Sequence, residues 1–132
     1  MKNKILFLVT LALLAVSLTA TACGNTSLTE SNFPTGKFVW SGSEYVGIYL
    51  NEDHTWSGFY YGEEVDKGTY EVDGNLYTQT SQGPNIPEGC AAPATYEWSF
   101  DGSNLTFKLH GEDKCDIRRE SFDGQTFILA KE

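Results

Sequence analysis

The sequence predicts an all-β domain, a single antiparallel up-and-down barrel of about eight or nine strands. Three observations predict it. From residue 33 onward apolar and polar residues alternate with period two, turn residues recur at short intervals, and no window holds apolar residues at helical spacing for more than about two turns. The elements follow in order. Residues 36–40 open the sheet, and residues 45–50 and 55–61 are β-rich runs divided by the polar turn 51–54. Gly62-Glu63 leads into a run ending Gly68-Thr69-Tyr70-Glu71-Val72, and Asp73-Gly74-Asn75 separates it from residues 76–80. The clearest hairpin comes next. Tyr96, Trp98 and Phe100 alternate with Glu97 and Ser99, Leu105, Phe107 and Leu109 alternate with Thr106 and Lys108, and Asp101-Gly102-Ser103 joins the two runs. Asp123-Gly124 then precedes a last strand over residues 125–130, and no helix is expected from residue 33 to the end.

Nearly all of these connections are too short for the crossover that parallel strands require, so the topology is a meander. A meander of about eight short strands removes its exposed edges by closing on itself. Alternation assigns Phe38, Tyr70, Tyr96, Trp98, Phe100 and Phe107 to the inside, together with Val46, Ile48, Val72, Leu105, Phe127 and Leu129. Three Trp, seven Tyr and eight Phe make 14% of the chain. Rings of that size can either fill an eight-stranded barrel or line a pocket within it.

The N-terminus reads differently from the rest. Lys2 and Lys4 supply a positive start, residues 5–16 an apolar run and residues 19–22 small side chains, ending at Cys23. That stretch resembles a bacterial lipoprotein signal. The resemblance implies that the Cys23 thiol is acylated and the chain cut just before it, giving a signal over 1–22, a lipidated cysteine with a flexible tether over 23–32, and a barrel domain over 33–132. An ordinary secretory signal cut near Ala22, or an uncleaved membrane helix, is the alternative. The expected location is extracytoplasmic, anchored to the bacterial cell membrane by the N-terminal lipid. Each acyl chain adds about 0.8 kcal/mol of membrane affinity per buried CH₂.

Without Lys2 and Lys4, seven of the nine basic residues remain against eighteen acidic ones, a formal charge of −11 for the mature part. Nucleic acid is excluded as a partner, because binding it requires a basic face to neutralise phosphates. An anionic membrane surface would repel the domain too, which leaves the lipid to hold it. Roughly 110 residues allow one core, and the domain is expected to be a monomer.

From Gly68 to Leu76, and through Cys90, Thr95 to Gly102, Leu105-Thr106-Phe107, Asp113, Cys115 and Arg118-Arg119, the chain resembles small bacterial lipocalin-like secreted proteins. The resemblance covers roughly residues 33–131. It implies a calycin-type barrel whose mouth or interior can hold a small apolar ligand, with Phe38, Tyr70, Tyr96, Trp98, Phe100 and Phe107 as candidates to line it.

With Cys23 assigned to lipid, Cys90 and Cys115 have one possible pairing. They flank the hairpin, Cys90 in the long loop 81–93 and Cys115 in a second long loop. A disulfide is expected; a metal or redox pair is the alternative, but there is no C-x-x-C and no adjacent histidine. His54 beside Glu52 and Asp53, and His110 near Glu112 and Asp113, are each half of a metal site at most. Asp113 and Asp116 with Arg118 and Arg119 are placed so that an arginine can close a barrel end by packing across Trp98 or Trp40. No nucleophile elbow, zinc-protease helix or phosphate loop occurs, so neither a cofactor nor enzymatic activity is expected.

Three function classes remain. The first is a lipid-anchored barrel binding a small apolar or amphipathic molecule, which requires an interior cavity of at least about 300 Å³. The second is a filled barrel acting as a cell-envelope structural or protein-interaction module. The third is an enzyme, which requires a perturbed acid or histidine in a cleft.

Overall fold

The computed structural model describes residues 32–131; the signal, Cys23 and most of the tether lie outside the described residues. Eight antiparallel strands close into a barrel in chain order: β1 (Gly36–Trp40), β2 (Ser43–Leu50), β3 (Thr55–Tyr60), β4 (Glu63–Asp73), β5 (Leu76–Ser81), β6 (Ala94–Phe100), β7 (Asn104–His110) and β8 (Thr126–Leu129). Every strand pairs with its sequence neighbours, and β8 returns to β1 through Phe38 opposite Leu129 and Trp40 opposite Phe127. The all-β, up-and-down expectation is met, and with it the prediction that closure removes the sheet edges.

One helix interrupts the meander and corrects the expectation of none. Helix α1 (Asp116–Phe122) lies between β7 and β8. Its seven residues bury only Arg118 and Phe122, while Ile117 is 63% exposed. The inward stripe is thus one charged and one aromatic residue four apart, which writes no apolar period into the sequence. Burial holds the helix in place instead. The Phe122 ring lies 5.6 Å from Tyr96, 5.2 Å from Phe107 and 5.5 Å from Phe127, centroid to centroid.

Directly opposed residues share a face, so the register identifies the interior. Val72 opposes Tyr77, Tyr77 opposes Tyr96, Trp98 opposes Phe107, and Leu105 opposes Phe127. Phe38, Tyr77, Tyr96, Leu105 and Phe107 are fully buried. Two inward positions take polar residues, Gln79 and Ser81, and both are buried. Two glycines allow strands to approach where a side chain would block them. A Cβ on Gly68 would lie 1.7 Å from the Thr80 carbonyl oxygen, and one on Gly47 would lie 2.1 Å from the Phe38 carbonyl oxygen and 2.6 Å from the Phe59 ring. Bulges at Val39/Trp40 and Gly58/Phe59 add local twist to the strands around them.

Alternating strand direction gives the barrel two distinct ends. At one end lie the N-terminal segment and the turns β2–β3, β4–β5 and β6–β7; at the other lie the turns β1–β2 and β3–β4, the 82–93 loop and α1. Phe33 plugs the first end, its ring 5.0 Å from Trp98, 5.3 Å from Tyr70 and 5.4 Å from Tyr77. Phe122 plugs the second. Both rings belong to the core cluster, although neither sits on a strand.

A plug of this kind should behave as a core residue. Phe33→Ala is expected to lower the unfolding free energy by about 3–5 kcal/mol, as for a buried aromatic elsewhere. Urea denaturation of the mature domain checks this, and a loss below about 1 kcal/mol would show that the segment merely lies over the barrel mouth.

Candidate functional site

All six residues singled out as candidates to line a pocket face the interior. Phe38, Tyr70, Tyr96, Trp98 and Phe107 are buried, and Phe100 is half-buried at the end near Phe38, with their rings 6.1 Å apart at 79°. Tyr70, Tyr96 and Phe107 join through Tyr77 into one set of touching rings, Trp98 is added to it by Phe33, and Phe38 with Phe100 forms a separate pair. Tyr70 to Tyr77 is 5.4 Å, Tyr77 to Phe107 is 5.0 Å and Tyr96 to Phe107 is 6.4 Å, distances at which rings touch edge to face or offset. Their polar tips are satisfied by the protein. Trp98 Nε1 donates to the Gly74 carbonyl at 3.1 Å, Tyr70 Oη to the Asn51 carbonyl at 2.6 Å, and Tyr77 Oη to Gln79 Oε1 at 2.8 Å. Gln79 Nε2 has no partner among the described residues.

Polar structure concentrates at the end closed by α1. Arg118 grips Asp113 with two parallel bonds, Nη2 to Oδ1 at 2.7 Å and Nε to Oδ2 at 2.8 Å, and also donates to the carbonyls of Cys90 (3.3 Å) and Ala92 (2.8 Å). Tyr96 Oη donates to Asp113 Oδ2, and the Cys115 N–H to Oδ1 at 2.8 Å. Asp113 and Arg118 are 2% and 5% exposed. The expected arginine closure of a barrel end is therefore realised with a different partner. Arg118 meets a carboxylate rather than Trp98 or Trp40, because a buried guanidinium fork matches a carboxylate in charge and geometry while a ring face offers only a quadrupole. The cation over rings is Lys37 on the outer wall, its Nζ 5.0 Å from the Phe59 centroid and 5.7 Å from Tyr49.

Burial pushes the Asp113 carboxyl up, but the bonds from Arg118, Tyr96 and the Cys115 N–H outweigh it and hold the group below its ordinary value. Burial, and then its bond to Asp113, push the Tyr96 hydroxyl up. Both oxygens of Asp113 are occupied, so it is held as an anion with no lone position aimed at a substrate. Beside it, Cys90 and Cys115 form a disulfide with 4.4 Å between Cα atoms and a sequence separation of 25. Closing that span restricts the unfolded chain by about 3–4 kcal/mol in the entropy model. The disulfide and Arg118 thus tie the same two loops, the one before β6 and the one after β7.

The histidines stand apart from this cluster. His54 has φ 64° in the β2–β3 turn and stacks on Tyr70 at 5.3 Å. His110 Nδ1 lies 3.4 Å from Glu97 Oε1 on the exposed surface. Among the described residues no group of three or more His, Cys, Asp or Glu side chains is placed to hold a metal.

The outer wall carries two further features. A polar groove of about 340 Å³ runs over β3 and β4 between Asn51, Ser57, Lys67 and Gln82. Near the end closed by α1, Tyr45, Tyr60 and Tyr61 are 52%, 55% and 63% exposed. The sequence reading missed these tyrosines, and it missed Phe33, Phe122, Trp56 and Tyr77 as core residues. For Trp56 and Tyr77 the next residues on the same face are Gly58 and Gln79, so no apolar alternation marks them; for Phe33 and Phe122, off the strands, no periodic signal exists. Compared with protein-family models, curated proteins and solved structures, the chain finds no match in any of the three.

The direction of the Asp113 shift sets an acid dependence. A carboxyl held below its unfolded value of 3.8 contributes stability that is fully present above that pH and is lost as pH falls through the lowered folded value. Calorimetric melting of Asp113→Asn is expected to show a loss of about 3–5 kcal/mol at pH 7, from the stranded Arg118 charge, and a shallower decline than the wild type below about pH 4. An unchanged acid slope would assign the acid sensitivity to other carboxylates, such as Asp53 and Asp101, which hydrogen bonds from Thr55 and Asn104 also hold low.

Proposed function

We propose that this chain is a lipid-anchored extracytoplasmic barrel that works as a cell-envelope interaction module, with its interior given to stability and its outer surface to function. One observation carries the reading. A cluster of the protein's own rings is buried inside the eight strands, with Phe33 packed onto it at one end and Phe122 at the other. A carrier of apolar molecules needs room among those rings, and here Tyr70, Tyr77, Phe107 and Tyr96 pack one on the next. The acidic surface keeps such a domain soluble beside the membrane. The described N-terminal segment enters the barrel at the Phe33 end, opposite α1.

The second reading is the lipocalin-like carrier of a small apolar or amphipathic ligand. Gln79 favours it, as a buried side chain whose amide nitrogen lacks a partner among the described residues. Tryptophan fluorescence separates the two. Titration with a fatty acid and with a hydrophobic dye is expected to give no saturable change, while Trp98→Ala lowers stability by about 3–5 kcal/mol. A saturable change that Trp98→Ala weakens would install the carrier in its place.

Anchoring is tested separately. The wild type is expected to partition into the detergent phase, and Cys23→Ala to release the protein or block its processing. A matured alanine variant retained in the membrane like the wild type would end the lipid assignment.

A further inference from the structure

We propose that Tyr45, Tyr60 and Tyr61, together with Glu44 and Glu63, form a docking surface for an arginine- or lysine-bearing segment of another protein. The inference rests on the reading of the barrel as an interaction module and names the partner that its surface fits. The rings form one cluster. Tyr45 and Tyr61 stack at 5.0 Å and 5°, and Tyr60 meets Tyr61 edge-on at 4.7 Å and 68°. The backbone holds them together, since the Tyr61 N–H donates to the Tyr45 carbonyl at 2.7 Å across the mouth of the β2–β3 pair. All three are more than half exposed, an unusual state for large rings already assembled in register.

Charge selects the partner. Glu63 lies opposite Tyr60 in the β3–β4 register and shares its face, while Glu44, beside Tyr45 in β2, adds negative charge at the same end of the barrel. Both are exposed, and neither has an ion-pair partner among the described residues; the nearby Glu64 is paired with Lys67 at 3.0 Å. Elsewhere on the same wall the protein completes such an arrangement for itself, with Lys37 seated over Phe59 and Tyr49. At the tyrosine cluster the rings and carboxylates are present, and no described cation sits over them. A guanidinium or ammonium would take ring faces and carboxylates at once. A neutral sugar would leave the carboxylates unanswered, and an anionic lipid surface would be repelled. The cluster also lies at the end of the barrel opposite the N-terminal segment, where a second protein has access.

The test uses the mature domain and a short synthetic peptide of alternating arginine and glycine, followed by NMR at low ionic strength. Saturable shifts centred on Tyr45, Tyr60 and Tyr61 are expected. Tyr45→Ala with Tyr61→Ala should weaken binding about tenfold, and Tyr45→Phe with Tyr61→Phe should restore most of it, since ring faces and not hydroxyls receive the cation. Glu44→Gln with Glu63→Gln should weaken it comparably at an unchanged melting temperature. The proposal is overturned if the peptide fails to bind, if the alanine pair binds like the wild type, as diffuse charge attraction would have it, or if a neutral N-acetylglucosamine tetramer binds the cluster in the peptide's place. None of these outcomes bears on the filled interior, which fails only through a saturable Trp98 response to fatty acid.

Discussion

Eight short strands closed into a cylinder enclose a space that side chains from the same strands must fill, and this constraint organises the rest of the molecule. Alternation sends every second residue inward, so the filling is written as Phe38, Tyr70, Tyr77, Tyr96, Trp98 and Phe107 on five of the eight strands. Rings this large bring their own requirement, because buried hydroxyl and indole groups need acceptors. The barrel supplies them from the backbone at its ends and from Gln79 within. The interior is therefore an apolar stack whose polar tips reach toward the rims.

A cylinder has two open ends, and the two are closed by different physics. At the N-terminal end Phe33 is inserted as a plain aromatic stopper. At the other end Phe122 does the same work, but its helix is short and has little intrinsic stability. The bidentate Arg118–Asp113 pair, its bonds to the carbonyls of Cys90 and Ala92, and the Cys90–Cys115 disulfide hold the surrounding loops instead. A buried ion pair is weak evidence of net stability, since desolvation offsets much of its attraction. Its effect here is positional: it specifies where two long loops meet, a task that a greasy contact would perform with less precision.

With aromatic rings inside and Phe33 and Phe122 packed at the two ends, the proposed interaction role falls to the outer surface. That wall is acidic for the most part, and its exceptions are informative. Phe59 lies outside because Gly47 makes room for it, and Lys37 covers it. Tyr45, Tyr60 and Tyr61 are outside without such cover, gathered by the β3–β4 turn. Strand geometry thus distributes aromatic residues between two roles that composition alone does not distinguish.

The sequence by itself determined the strands, their antiparallel order and most of the inward face. Those properties are local: a period of two in 96–100 and 105–109, and turn residues such as Asp101-Gly102, act within a few residues of one another. With Cys23 set aside for lipid by its resemblance to a signal, it also left Cys90 and Cys115 as the pair, and these two are bonded. Tertiary structure decided what depends on residues far apart in the chain. That Phe33 reaches Trp98, that Phe122 reaches Tyr96, and that Arg118 chooses Asp113 over Trp98 follow from which loops the closed barrel brings together. Helix α1 belongs to the same class, since a seven-residue segment burying one arginine and one phenylalanine is helical only where a carboxylate and an aromatic cluster already wait for those two side chains.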